Sequence, residues 1–178
     1  MSETKKYLFI GLKIVAWVIF VGLSIEAGGL MVNFIFSLFQ PEFVQNLYQK
    51  LDLSDLYSRS KWVFFAMYSF ILVIAVLKAY LFYVVVKLVT ELNLSKPFNS
   101  LASGQIMQIS YFTFSIGLLS YVARETAQSL ERRRYVVDNL DQFWADSQAF
   151  ILMAAVLYII ATIFQKGVDL QNENDLTV

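Results

Sequence analysis

Four long apolar runs divide the chain, at residues 8–39, 62–88, 104–123 and 148–165. A helix needs roughly 20 apolar residues to cross a hydrocarbon core of about 30 Å, and these runs meet that length or exceed it. None alternates with period two, so barrel strands are excluded. Helices remain, because backbone polar groups in lipid must pair within their own segment. The pattern predicts an all-α fold, an integral membrane four-helix bundle over residues 1–166 with helical extensions outside the bilayer. A short polar tail, 167–178, follows it. The first run is longer than a bilayer requires, so it must tilt, bend or project, and Gly28-Gly29 is the expected bend.

The connections carry their own pattern. After Pro41, the residues Phe43, Val44, Leu47, Tyr48 and Leu51 share one helical face, which predicts a short amphipathic helix on the membrane surface. Between the second and third runs Pro97 fixes a turn, and Ser100 or Ser103 is the expected helix cap. Between the third and fourth, Val136, Val137, Leu140, Phe143 and Trp144 mark another apolar face, so the third and fourth helices are expected to continue beyond lipid as a hairpin. Gly167 reads as the cap that ends the fourth helix.

Composition narrows the chemistry. The chain is 58% hydrophobic and carries 14 basic and 14 acidic residues, for a net charge of zero, so no global basic field argues for direct nucleic-acid binding. Cysteine and histidine are absent, which removes disulfides, thiolate and histidine-based nucleophilic catalysis, and the usual zinc ligand sets. The glycines form no phosphate-loop pattern, and no cofactor is expected. The basic start resembles a signal peptide, but the apolar run continues to Phe39 without a small-x-small cleavage site, so it reads as an uncleaved first span.

With both termini inside, Lys5, Lys6, Lys13, Lys87, Lys96 and Lys166 face the cytoplasm. Opposite them lie Lys50, Arg59, Lys61, Arg124, Arg132, Arg133 and Arg134, nearly a balance. The first helix dominates such a choice, and its start alone is flanked by lysines, which favours cytoplasmic termini.

The polar residues inside the spans are the candidate chemistry. An ionised group at mid-membrane costs at least about 2.5 kcal/mol, so Glu26 must face the bundle interior, be neutral or be paired. Lys78 is its expected partner. Counted from Lys13 and from Lys87, the two lie within about 6 Å of one another in depth, inside the reach of a lysine stem. The bland alternative is a lysine snorkelling to the headgroups; the sharper one is an ion or proton pathway. A polar stripe, Asn33 with Ser110, Thr113, Ser120 and Arg124, is expected to line helix contacts or a small polar cavity. The run Glu131-Arg132-Arg133-Arg134-Tyr135, with Glu125, Asp138, Asp141 and Asp146 close by, reads as a salt-bridged solvated face.

The tail from Gly167 to Val178, with Pro97-Phe98 in the second connection, resembles a bacterial family of uncharacterised four-span membrane proteins, the YoaS-like family. The resemblance runs over nearly the whole chain in length and layout. It implies a non-catalytic, multi-pass protein of the bacterial inner membrane whose cytoplasmic tail docks a small helix-turn-helix regulator or a larger membrane assembly. The docking residues would be Pro97, Phe98, Leu170, Gln171, Glu173, Asn174, Asp175, Leu176, Thr177 and Val178. The tail can equally fold back on its own bundle. A small transporter using Glu26 and Lys78 is the alternative reading.

Overall fold

The computed structural model describes residues 3–40, 44, 47, 51–92, 99–137 and 140–176, with side chains described from 7 to 173. The elements are α1 (Glu3–Phe39), α2 (Ser54–Arg59), α3 (Lys61–Glu91), α4 (Ser100–Arg132), a 3-10 turn (Leu140–Phe143) and α5 (Ser147–Leu176). The described residues contain no strand. Four helices are long and apolar enough to cross a membrane, and the chain is an all-α, multi-pass bundle.

The helices neighbour one another in succession: α1 packs on α3, α3 on α4 and α4 on α5. Aromatic side chains make the first seam. Phe34 stacks on Tyr68 with ring centroids 5.2 Å apart, and the Tyr68 hydroxyl donates to the Leu30 carbonyl at 2.9 Å. Small side chains make the last seam. A Cβ on Gly117 would lie 3.0 Å from Ile151 Cγ1 and 3.1 Å from Phe150 Cβ, so α4 and α5 meet almost backbone to backbone. Ser110 Oγ, buried there, donates to the Ala154 carbonyl at 2.9 Å.

Two helix ends depart from the expected ones, at Asn99 and at Gly167. Asn99, rather than Ser100 or Ser103, caps α4: its side chain accepts from Ala102 N at 2.7 Å. Ser103 instead donates across to Gln165 Oε1 at 2.9 Å. At the other end of α4, Arg134 N bonds the Glu131 carbonyl at 2.8 Å and Tyr135 N bonds the Leu130 carbonyl at 3.1 Å. Those two bonds make a Schellman stop, with Arg134 at φ 64° where glycine is usual. Finally, Gly167 does not end α5. The helix runs through it to Leu176, and Val168, the next residue, is buried. α1 is likewise unbroken through Gly28-Gly29.

Seams and overlaps show that the helices have different axial reach. Ala145 N donates to Ser120 Oγ at 3.1 Å, so α5 begins beside the middle of α4. From Tyr121 to Arg132, α4 extends about 18 Å past that level. The hairpin expected from extensions of both helices is therefore one long α4 followed by an irregular return segment.

Candidate functional site

That return segment, with α2 and the residues before it, builds a folded cap over one end of the bundle. Val44, Leu47 and Leu51, expected on the membrane surface, are instead buried in the core with Leu53, Leu56 and Phe64. Leu47 N bonds the Leu51 carbonyl at 3.0 Å and Leu53 N the Val44 carbonyl at 3.2 Å. Val137, Leu140, Phe143 and Trp144, from far along the chain, belong to the same buried cluster, so Val44, Leu47 and Leu51 pack into the protein rather than lie open on a membrane surface. Phe43, Tyr48 and Asp138 lie outside the described residues.

Polar contacts then clamp the cap. Asp55 pairs with Arg59 at 2.9 Å and accepts from Val136 N at 2.9 Å. Arg59 Nη1 donates to the Arg134 carbonyl at 2.8 Å, and its guanidinium lies 5.3 Å from the centre of the Tyr135 ring. α2 thus grips the residues that leave α4, which holds Arg134 in its left-handed conformation. The basic run is part of this clamp rather than a uniform salt-bridged face. Asp146 caps α5, accepting from Gln148 N at 3.1 Å and Ala149 N at 3.2 Å.

Lys78 sits beneath the cap, and its expected direct pair with Glu26 does not form. Both are half-buried, and no ion pair joins them. Lys78 Nζ donates instead to the Phe143 carbonyl at 3.0 Å. A single ammonium hydrogen bond thus ties the middle of α3 to the 3-10 turn of the return segment. The periodicity of α3 marks Lys78 as an inward cation, but nothing local marks Phe143 as its acceptor.

The polar stripe separates into distinct roles. Ser110 and Ser120 bridge to Ala154 and Ala145, whereas Thr113 Oγ1 bonds back to the Ile109 carbonyl of its own helix at 2.7 Å. Asn33 is half-buried on α1, away from α4. Arg124 lines a polar cavity of about 210 Å³ with Gln128, Glu131 and Asp141 at the edge of the cap. The stripe therefore does not converge on one axis. Two further buried polar atoms went unnoticed in the sequence: Gln105 Oε1 and Trp144 Nε1 have no protein partner, while Gln105 Nε2 donates to Glu91 Oε2 at 2.8 Å.

Among the tail residues, α5 presents Leu170, which is 62% exposed, and Glu173 is also exposed while Gln171 is half-buried. The side chains of Asn174, Asp175 and Leu176, and the residues Pro97, Phe98, Thr177 and Val178 altogether, lie outside the described residues.

A row of apolar helices closed at one end by a folded cap, with one lysine bonded into that cap, defines a multi-pass membrane protein. The chain belongs to the family DUF2975, described as a protein of unknown function, whose sequence profile matches residues 47–178. The match takes in the cap, α3, α4 and α5, including Lys78; α1 and Glu26 precede it, so the family likeness is less extensive than the layout implied. No curated protein and no solved structure matches the chain.

Proposed function

We propose that this protein is a non-catalytic interaction partner in the bacterial inner membrane, with both termini cytoplasmic. It would hold a regulator, such as a small helix-turn-helix protein, or a larger membrane assembly. The YoaS-like affinity of the tail belongs to this proposal. The observation that carries it is the end of α5. The helix continues past its apolar span, and Leu170 stands 62% exposed on it, flanked by the carboxylates of Asp169 and Glu173. An apolar anchor on a helical face is the geometry by which helices enter grooves of partner proteins.

Leu170→Glu tests this. The variant should keep its helix content and detergent stability while losing, by at least about tenfold, the protein that co-purifies with the intact chain in mild detergent. Full retention of that protein by Leu170→Glu would overturn the docking role.

A second reading, a small transporter, is supported by Glu26 and Lys78, two half-buried ionisable residues within the spans that make no ion pair with each other. Proteoliposomes of the double variant Glu26→Gln with Lys78→Met discriminate the two. Ion flux that is present in the unaltered protein and lost in a folded double variant favours transport. Unchanged partner binding with no flux in either protein leaves the pair a structural one.

A further inference from the structure

The apolar surface shared by α1 and α3 stops at a sharp chemical boundary. The two helices run antiparallel, with Phe34 against Phe65 at a centroid distance of 6.1 Å. Continuing by one turn along each brings Phe39 and Trp62 to the same end of the pair. Both are nearly bare, Phe39 at 78% and Trp62 at 85% exposure. Directly beyond them comes positive charge. Lys61 adjoins Trp62, Arg59 precedes it, and Arg59 is bonded to Arg134, beside the exposed Arg132 and Arg133.

These cations are not equivalent. Arg59 is committed to Asp55 and to the Arg134 carbonyl. Lys61 makes no ion pair with any described carboxylate; its ammonium lies 5.4 Å from the centre of the Tyr57 ring and is otherwise open. Lys61, Trp62 and Phe65 together line a pocket of about 210 Å³.

We propose that this pocket binds the headgroup of an anionic phospholipid. Lys61 meets the phosphate, and Trp62 and Phe65 take the glycerol and the first methylenes of an acyl chain. Charge complementarity carries the assignment. An ammonium with no ion pair among the described residues stands next to an exposed indole at the edge of an apolar helix pair, and indoles of that kind sit at headgroup level. The arginines behind Lys61 add to the local positive field without occupying the pocket. An acidic protein segment would need the same charge but has no use for a pocket with aromatic walls open to the acyl region.

The test uses Trp62 itself as the reporter. Trp17 and Trp144 are replaced by Phe in the full chain; Trp144 Nε1 has no partner to lose. The protein is placed in phosphatidylcholine vesicles containing either brominated phosphatidylglycerol or brominated phosphatidylcholine at equal mole fraction. Quenching of Trp62 should show a roughly fivefold preference for the anionic lipid, the scale set by one basic group at a membrane surface. Lys61→Gln should reduce that preference to near unity, and Lys61→Arg should keep it. Equal quenching by both lipids, or a preference indifferent to Lys61→Gln, overturns the proposal. Abolition of the preference by soluble glycerol phosphate would assign the pocket to a free phosphate instead, and overturn it as a lipid site. If the single-tryptophan chain does not fold, native mass spectrometry of the unaltered and Lys61→Gln chains from mixed-lipid nanodiscs reads the same ratio of retained lipids.

Discussion

The α4–α5 seam and the α1–α3 seam solve the same problem with opposite materials. Lipid offers no water to release, so helices associate through packing and hydrogen bonds between them. α4 and α5 approach over Gly117, Ala154 and Ala161, the two alanines being buried, and Ser110 spans the gap with a bond to a backbone carbonyl. α1 and α3 are held apart by rings: Phe34, Phe64, Phe65 and Tyr68 interlock at one end, and Phe20 meets Tyr83 at 6.0 Å further along. Between those ring contacts a groove of about 500 Å³ remains, lined by Ser24, Ala27, Gly28, Val76 and Ala79 among others. One seam is a close fit without slack, and the other is a set of pillars with space between. α1 touches no other long helix to a comparable extent, so its place depends on the seam with α3.

The strongest way to break this contrast is Gly117→Leu. Ile151 N would stand 3.2 Å from the new Cβ, and backbone cannot yield as a side chain does. Separation of α5 from α4 should cost about 3 kcal/mol, measured as equilibrium unfolding in mixed micelles of mild detergent and dodecyl sulfate. A cost under about 1 kcal/mol would mean that the seam has slack after all.

Next in size is Phe34→Ala. Phe34 touches both Tyr68 and Phe65, and aromatic pairs contribute about 0.5–1.5 kcal/mol each beyond area. Its loss should cost about 2 kcal/mol and loosen α1 selectively. The chain has no native cysteine, so a disulfide engineered between α1 and α3 reports that loosening without interference. Its formation should slow in Phe34→Ala, while a matched pair between α4 and α5 is unaffected. Equal slowing of both pairs would show that the seams are not independent.

How much of this was legible depended on distance along the chain. The spans follow from the apolar runs, and α1 ends at Phe39 as expected because Gln40-Pro41 punctuates it. Gly167 misled because a glycine inside a helix costs only about 1 kcal/mol, a cost of the size that burial of the neighbouring Val168 offsets. The apolar character of Val44, Leu47 and Leu51 was visible, but the buried cluster they join draws residues from some ninety positions further on, Val137 and Leu140 among them, and periodicity carries no information about that. Lys78 shows the same limit at the candidate site. Its inward placement could be counted from the helix ends, whereas its acceptor is a backbone carbonyl in an irregular segment, which no residue type announces. Residue types identified Ser110, Ser120 and Arg124 as polar groups in or beside spans; only the packing shows that the first two are bonds between segments and the third a cavity wall.

A smaller effect sharpens the account of the tight seam. Ser110→Ala removes one interhelical hydrogen bond, worth about 0.6 kcal/mol on average inside a membrane. The Ala154 carbonyl keeps its own helical bond, so nothing is orphaned. The expected loss is therefore small, and it should be far below that of Gly117→Leu, two turns along the same face of α4. Near equality of the two would mean that the serine bond, not the closeness of the backbones, holds α5.

The smallest expected effect is the most direct test of the open seam. A Cβ on Gly28 meets nothing within 4 Å, and the residue lines the groove. Gly28→Leu should change stability by less than about 0.5 kcal/mol, or raise it slightly, since leucine is the better helix former by up to about 1 kcal/mol. The same chemical change thus has opposite consequences at two glycines on neighbouring pairs of helices, and the difference comes from what stands opposite each Cα. If Gly28→Leu is as damaging as Gly117→Leu when measured in detergent micelles, α1 and α3 approach more closely than a groove permits. If it is harmless there but destabilising in a bilayer, the groove is filled in the membrane by something a leucine side chain displaces, and the pillars of α1–α3 stand around an occupied space.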